Sequence, residues 1–240
     1  MLMEIKRGRL IVIDGPDASG KGTQVERIHR RLLTKGYNAE ILDFPQYGQN
    51  IFAKTFRDYL RGDFGDPTTV SPYLAATLTA ADRWTVKDKI NEGLSRGTVF
   101  VANRYASSNM GHQGAKMQNL LEREAFMEWN YALEFSDKGF GIPKPDLTVL
   151  LDVSRTSSKE MLEARTVEVG GERDGHERNQ DYQQRVATTF LEIAQREPSW
   201  RVVRCNGEDN KILSPNVITD LIWQTIAPYL PLDTLSKQSP

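Results

Sequence analysis

The run GPDASGKGTQ, Gly15 to Gln24, concentrates residues suited to phosphate chemistry. Gly15, Gly20 and Lys21 have the G-x-x-x-x-G-K spacing of a loop whose backbone N–H groups cradle phosphates while the lysine reaches toward them. Asp17, Ala18 and Ser19 complete its interior. In the standard form a hydroxyl follows the lysine and ligates Mg2+; here that position is Gly22 and the hydroxyl comes one residue later, at Thr23, the candidate metal ligand. A carboxylate at Asp17 repels phosphates by Coulomb's law, so a second role for it is required. The plainer alternative is a glycine-rich turn with a solvated lysine. The surroundings favour the phosphate loop, because RLIVID precedes it and an amphipathic stretch follows, so that N–H groups and a helix N-terminus converge on an anion.

Other cations stand at telling places. Arg104 follows the apolar run TVFVAN, at a strand's C-terminal end, where open α/β sheets bind ligands. Its guanidinium can grip a phosphate by two prongs, or can be a plain surface arginine at a strand exit. Arg83 lies among Ala, Leu and Thr in a helical stretch, so it must snorkel or find a partner. VEVGGERDGHERN, Val167 to Asn179, has too few apolar residues to pack and reads as a mobile excursion, with Arg165, Arg173 and Arg178 in or beside it. Catalysis of phosphoryl transfer is mainly positioning plus cationic stabilisation, so these arginines are candidates for a closing lid over about 165–179. Glu172, Asp174 and Glu177 balance the charge and leave a solvated loop as the alternative.

The elements that would position these groups alternate in type. RLIVID (Arg9 to Asp14), AEILDF (Ala39 to Phe44), TVFVAN (Thr98 to Asn103), LTVLLDV (Leu147 to Val153) and WRVVRC (Trp200 to Cys205) read as strands, three with the near-continuous apolar cores of strands covered on both faces. Val25, Ile28, Leu32 and Leu33 follow helical spacing, with Gly36 closing the helix. Ser71-Pro72 opens a helix through Leu74, Leu78 and Ala81, extending toward Leu94. The alternation predicts an α/β fold with a parallel sheet and right-handed helical crossovers.

The chain has 240 residues, 26% of them charged, with a net charge of −1, enough for one large domain and without the cationic field of non-specific nucleic-acid binders. One cysteine, Cys205, cannot form an internal disulfide and suits a reducing compartment. The first apolar run spans four residues, too short for a signal peptide or a membrane span. A soluble, cytoplasmic protein of one domain over 1–240 is expected, with no nucleic-acid or membrane partner and a frayed tail from about 230 to 240.

The G-K-G-T ending resembles the loops of adenylate-kinase-like nucleotide kinases. FPQYG (Phe44 to Gly48), YLAATLTAADR (Tyr73 to Arg83), NRYASSNMGHQGAK (Asn103 to Lys116) and PDLTVLLDV (Pro145 to Val153) look like the successive signature blocks of thymidylate kinases, in order and spacing. With the loop and the excursion they cover roughly residues 9 to 205. The resemblance implies a P-loop nucleotide kinase fold, a five-stranded parallel sheet flanked by helices with a mobile lid, usually a homodimer, and transfer of the ATP γ-phosphoryl to dTMP with Mg2+. It also implies that Asp17 accepts a hydrogen bond from the acceptor's sugar and that Arg83 reads the base. Arg104 would hold the acceptor phosphate, and Phe44 with Pro45 would shape the pocket. Ser108, Asn109, His112 and Gln113 would lie where base and sugar are read. His112 and Phe44 are equally compatible with structural roles. Ala18 and Ser19 leave the loop without an extra basic residue, so Arg165 and Arg173 would supply the cations.

Three positions depart from the family pattern. Asn103 replaces a carboxylate able to hold Mg2+ or its water, Gln46 replaces an arginine, and Thr79 stands where a phenylalanine usually stacks on thymine. Three readings follow: a thymidylate kinase, a related nucleoside-monophosphate kinase with another acceptor, and a nucleotide-binding module that has lost turnover.

Overall fold

The computed structural model describes residues 6–169 and 179–231. The described strands are β1 (Arg9–Asp14), β2 (Ala39–Asp43), β3 (Val99–Asn103), β4 (Leu147–Asp152) and β5 (Trp200–Arg204). They form one sheet in the order β2-β3-β1-β4-β5, every pairing parallel. Each strand expected from the sequence is present, four of them one residue shorter than the apolar run.

The described helices are α1 (Lys21–Thr34), α2 (Ile51–Arg61), α3 (Pro72–Trp84), α4 (Lys87–Ser95), α5 (Ala106–Ser108), α6 (Leu120–Phe135), α7 (Arg155–Val169), α8 (Gln180–Arg196) and α9 (Pro215–Ile226). A π-helical turn, Asn109–Gln113, follows α5. The side-chain period of a strand sends alternate residues to opposite faces. Ile11 and Ile13 of β1 therefore pack with Val25, Ile28 and Leu32 of α1 and Ile222 of α9, whereas Leu10 and Val12 pack with Ile90 and Leu94 of α4. Burial on both faces explains why β1, β3 and β4 read as continuous apolar runs.

Several helical details differ from the sequence reading. Leu33 is exposed, because the core-facing stripe of α1 runs through Val25, Ile28 and Leu32. The helix from Pro72 stops at Trp84 and a new one starts at Lys87, so no single helix reaches Leu94. Leu74 is exposed; the buried face of α3 is Ala75, Ala76, Thr79, Ala80 and Arg83. Small residues there admit a close neighbour, and α3 packs against α6. Leu230, expected in the frayed tail, is buried against the sheet core; residues 232–240 lie outside the described residues. Among the described residues no helix is long and apolar enough to cross a membrane.

Candidate active site

The C-terminal ends of β1, β2 and β3 and the N-terminus of α1 enclose one cavity of about 860 Å³. Its wall includes Asp17 through Thr23, Asp43, Phe44, Thr79, Arg83, Asn103, Arg104, Ser108, Asn109, His112 and Gln113. The structure thus gathers residues that the sequence spreads over nearly a hundred positions. Gly15 lies behind the wall: its φ is +155° and a Cβ there would stand 2.8 Å from the Leu151 carbonyl oxygen, so only glycine passes. Ala18 and Gly20 are left-handed, with φ of 54° and 80°. Such turns gather N–H groups into an anion-binding concavity, here at the start of α1.

Lys21 is buried and its Nζ donates to the carbonyl oxygens of Gly15 at 3.0 Å and Pro16 at 2.7 Å and to Ser19 Oγ at 3.3 Å. Gly22 has open space around its Cβ position, so sterics do not exclude a hydroxyl there. Thr23, the next residue, is exposed on the cavity wall.

The role of Asp17 becomes legible from its partners. Arg104 Nη2 donates to its Oδ1 at 2.5 Å and Gln183 Nε2 of α8 donates to its Oδ2 at 2.9 Å, while Ser158 Oγ of α7 donates to its backbone oxygen at 2.9 Å. Burial alone would raise this carboxyl. The charges of His112, Arg104 and Lys21 and the Gln183 amide outweigh it and hold the group well below the usual carboxylate range. An ionised Asp17 is therefore compatible with an anion-binding loop because Arg104 offsets its charge locally. Arg104 in turn is half-buried, which favours its neutral form, but Asp17 and Asp14 hold it firmly charged. Its backbone is left-handed at φ 63°, an unusual geometry for a side-chain-bearing residue, and its Nη1 lies 3.0 Å from His112 Nε2.

Deeper in the cavity Arg83 is 2% exposed and faces Glu134 of α6, which is 0% exposed. Arg83 Nε donates to Glu134 Oε2 at 3.0 Å and Nη2 donates to Oε1, a two-pronged pair. Asn109 Nδ2 donates to Glu134 Oε1 at 2.9 Å and to the Ala76 carbonyl at 3.2 Å, and Thr79 Oγ1 donates to Asn109 Oδ1 at 2.6 Å. Thr79 thus ties a buried polar network together where an aromatic ring would offer no hydrogen bond. Gln113 is 1% exposed, lines the cavity, and its Oε1 has no hydrogen-bond partner among the described residues.

Other expected site residues face neighbours. Ser108 donates to both oxygens of buried Asp14, at 3.0 and 2.8 Å, which anchors the segment after β3 beneath the loop. His112 packs edge-on against Phe190 at 5.7 Å, and Phe44 packs edge-on against Tyr105 at 5.7 Å, ahead of a cis Phe44–Pro45 bond. Gln46 turns to α3, donating through Nε2 to the Asp82 carbonyl and Oδ1, both at 2.9 Å. Arg165 stands in α7, but its side chain lies outside the described residues, as do Arg173 and Arg178.

Sequence reading missed Glu134, Gln183, Asp14 and Asp43. The buried arginine in an alanine-rich helix was the one signal that pointed to Glu134. For a metal, Asn103 Nδ2 donates to Asp43 Oδ1 at 2.7 Å, and the Asn103 Oδ1 atom is buried without a hydrogen-bond partner among the described residues. These hard oxygen donors, with the Thr23 hydroxyl, fit Mg2+, which is held through few carboxylates, waters and nucleotide phosphates. Among the described residues no cluster of three His, Cys, Asp or Glu could hold a metal by itself.

A glycine-turn phosphate loop feeding a helix, at the ends of a parallel sheet ordered 2-3-1-4-5, defines a P-loop nucleotide kinase. The thymidylate kinase family model matches residues 13–212, and the chain belongs to that family. It is 36% identical to the thymidylate kinase of Mycobacterium tuberculosis over 187 residues, 77% of this chain and 85% of that protein. It is 29% identical to the human thymidylate kinase over 226 residues, covering 90% and 94% of the two chains. Among solved structures, a Candida albicans thymidylate kinase, described as revealing the origin of broad substrate specificity, matches with a TM-score of 0.68 and 25% identity over 93% of this chain and 92% of that one.

Proposed function

We propose that this chain transfers the γ-phosphoryl group of ATP to dTMP, giving ADP and dTDP, with Mg2+ as the metal. The observation that carries this reading is the single cavity in which the phosphate loop and Lys21 face Arg104, Arg83 and Asn109. In it, the loop N–H groups, Lys21 and the α1 N-terminus hold the donor phosphates, and Thr23 sits on the metal side. Arg104 is the acceptor-phosphate ligand: on substrate binding its guanidinium is shared between Asp17 and the phosphate, which leaves Asp17 to accept from the sugar. Arg83 is fixed by Glu134 so that its remaining edge meets the base. Mg2+, which the Thr23 hydroxyl and the Asp43 carboxylate would help to hold, would supply positive charge to offset the charge that builds during transfer. Arg165 and Arg173 belong to a lid that brings further cations.

The exposed apolar side chains of Ile51 on α2 and Leu74 on α3, helices that pack together, support a homodimer. A cytoplasmic location fits the single cysteine, whose buried thiol is pushed up to about 12 by burial and by Asp152. Thr79 favours a second reading, an acceptor range wider than dTMP, because its hydroxyl gives the pocket no ring to stack on a pyrimidine. ADP release measured with dTMP, dUMP, dCMP, dGMP and AMP tests both. Preference for dTMP supports the first reading, and comparable rates with another acceptor support the second.

A further inference from the structure

We infer that Asp43, at the end of β2, supplies the metal-side carboxylate that the end of β3 lacks, and that Asn103 positions it. The inference rests on the reading of the cavity as a Mg2+–ATP site. β2 and β3 run parallel with Asp43 and Asn103 as register partners, so their side chains leave neighbouring strand ends side by side. The Asn103 amide donates to Asp43 Oδ1 at 2.7 Å, which fixes the carboxylate while Asp43 stays exposed to the cavity. Donation through Nδ2 also fixes which way the amide points: its Oδ1 is buried and has no hydrogen-bond partner among the described residues. A buried carbonyl oxygen left unpaired costs free energy, and an ordered water or an ion is among the partners that would satisfy it. Asn103 alone is neutral and offers Mg2+ or its water shell a weak dipole. With Asp43 held beside it, the paired strand ends carry a full negative charge on an exposed hard oxygen donor of the kind Mg2+ prefers.

An aspartate at 103 would stand against the Asp43 carboxylate, and two carboxylates in contact cannot both remain ionised without cost. The two positions therefore form one unit: a single negative charge, carried at 43 and oriented from 103. Asp43 acts on the metal through its charge or through a bound water, while Asn103 is a positioning residue.

The test reads metal coupling without turnover. ATP affinity is measured by calorimetry in the absence of dTMP, with and without Mg2+, and the ratio of the two dissociation constants gives the coupling between metal and nucleotide. Asp43→Asn, a shape-preserving change at an exposed position, should lower that ratio on the order of 10-fold while leaving metal-free ATP affinity equal or tighter. Moving the charge with Asp43→Asn/Asn103→Asp should restore the ratio, which a merely structural role for Asp43 would not produce. An unchanged ratio in Asp43→Asn, with ATP binding intact, overturns the inference. So does a double variant whose ratio stays as low as that of Asp43→Asn alone, since the loss would then not be one of charge at the paired strand ends. Failure of the unaltered protein to bind ATP contradicts instead the reading of the phosphate loop.

Discussion

Replacing Glu134 with glutamine should both destabilise the protein and loosen its acceptor pocket. Arg83 and Glu134 are 2% and 0% exposed, so water cannot solvate a charge left behind. Glu134 accepts two hydrogen bonds from Arg83 and one from Asn109, and a carboxamide of the same shape keeps one acceptor while turning an N–H2 group toward a donor. Breaking a buried ion pair by neutralising one partner costs about 3–5 kcal/mol, mostly the penalty of the charge that remains. For a chain of this length each kcal/mol lowers Tm by roughly 2–4 °C, so a fall of roughly 6–20 °C is expected. Denaturant unfolding and thermal scans of Glu134→Gln measure this directly. The dTMP KM should rise at the same time, because Arg83 and Asn109 share the lost acceptor. A loss below about 1 kcal/mol, within the range of an exposed ion pair, would refute the reasoning. The arginine would then be held by its surroundings without the carboxylate.

Lys21→Ala should abolish transfer, whereas Arg104→Ala should weaken dTMP binding measured without ATP; unchanged dTMP affinity would remove Arg104 from the acceptor site. Arg165→Ala and Arg173→Ala should lower kcat and kcat/KM together with little change in ATP affinity, and full rates in both would leave that segment a solvated loop. Lys116 donates to Tyr59 Oη at 2.8 Å and to the Val70 carbonyl at 2.9 Å, and burial lowers its ammonium to about 7, against the opposing charge of Asp66. Because the unfolded chain keeps that proton up to about pH 10.4, the lysine's contribution to stability is least below pH 7 and grows as pH rises between those values. Denaturation of Lys116→Met at pH 7 and 9 should show a flatter rise than the unaltered protein, and an identical rise would rule out titration of Lys116 in this window.

The strands were legible because burial on both faces writes continuous apolar runs into the sequence, and the phosphate loop because glycine is required where Gly15 and Gly20 turn. The lining of the cavity was readable as a set from the signature blocks, but the pairings inside it were not. Arg83 announced that it needed a partner without naming Glu134, which lies 51 positions away on another helix. Asp17 posed an electrostatic problem whose answer, Arg104, depends on a left-handed residue placed across the sheet end. Asn103 read as a loss on its own, because the neighbouring carboxylate becomes visible only when strand register sets Asp43 beside it. The break between α3 and α4 was missed for a local reason, since Thr85 and Val86 carry no glycine or proline to mark it.

The most direct measurement of the central claim follows product as well as donor. The protein is incubated with ATP, Mg2+ and dTMP, and nucleotides are resolved by chromatography with 31P NMR to place each phosphate. Transfer predicts dTDP and ADP appearing in equal amounts, with no ADP formed when dTMP is omitted. ADP released without matching dTDP would mean hydrolysis, and no dTMP-dependent product would contradict the assignment of the cavity as a dTMP kinase site.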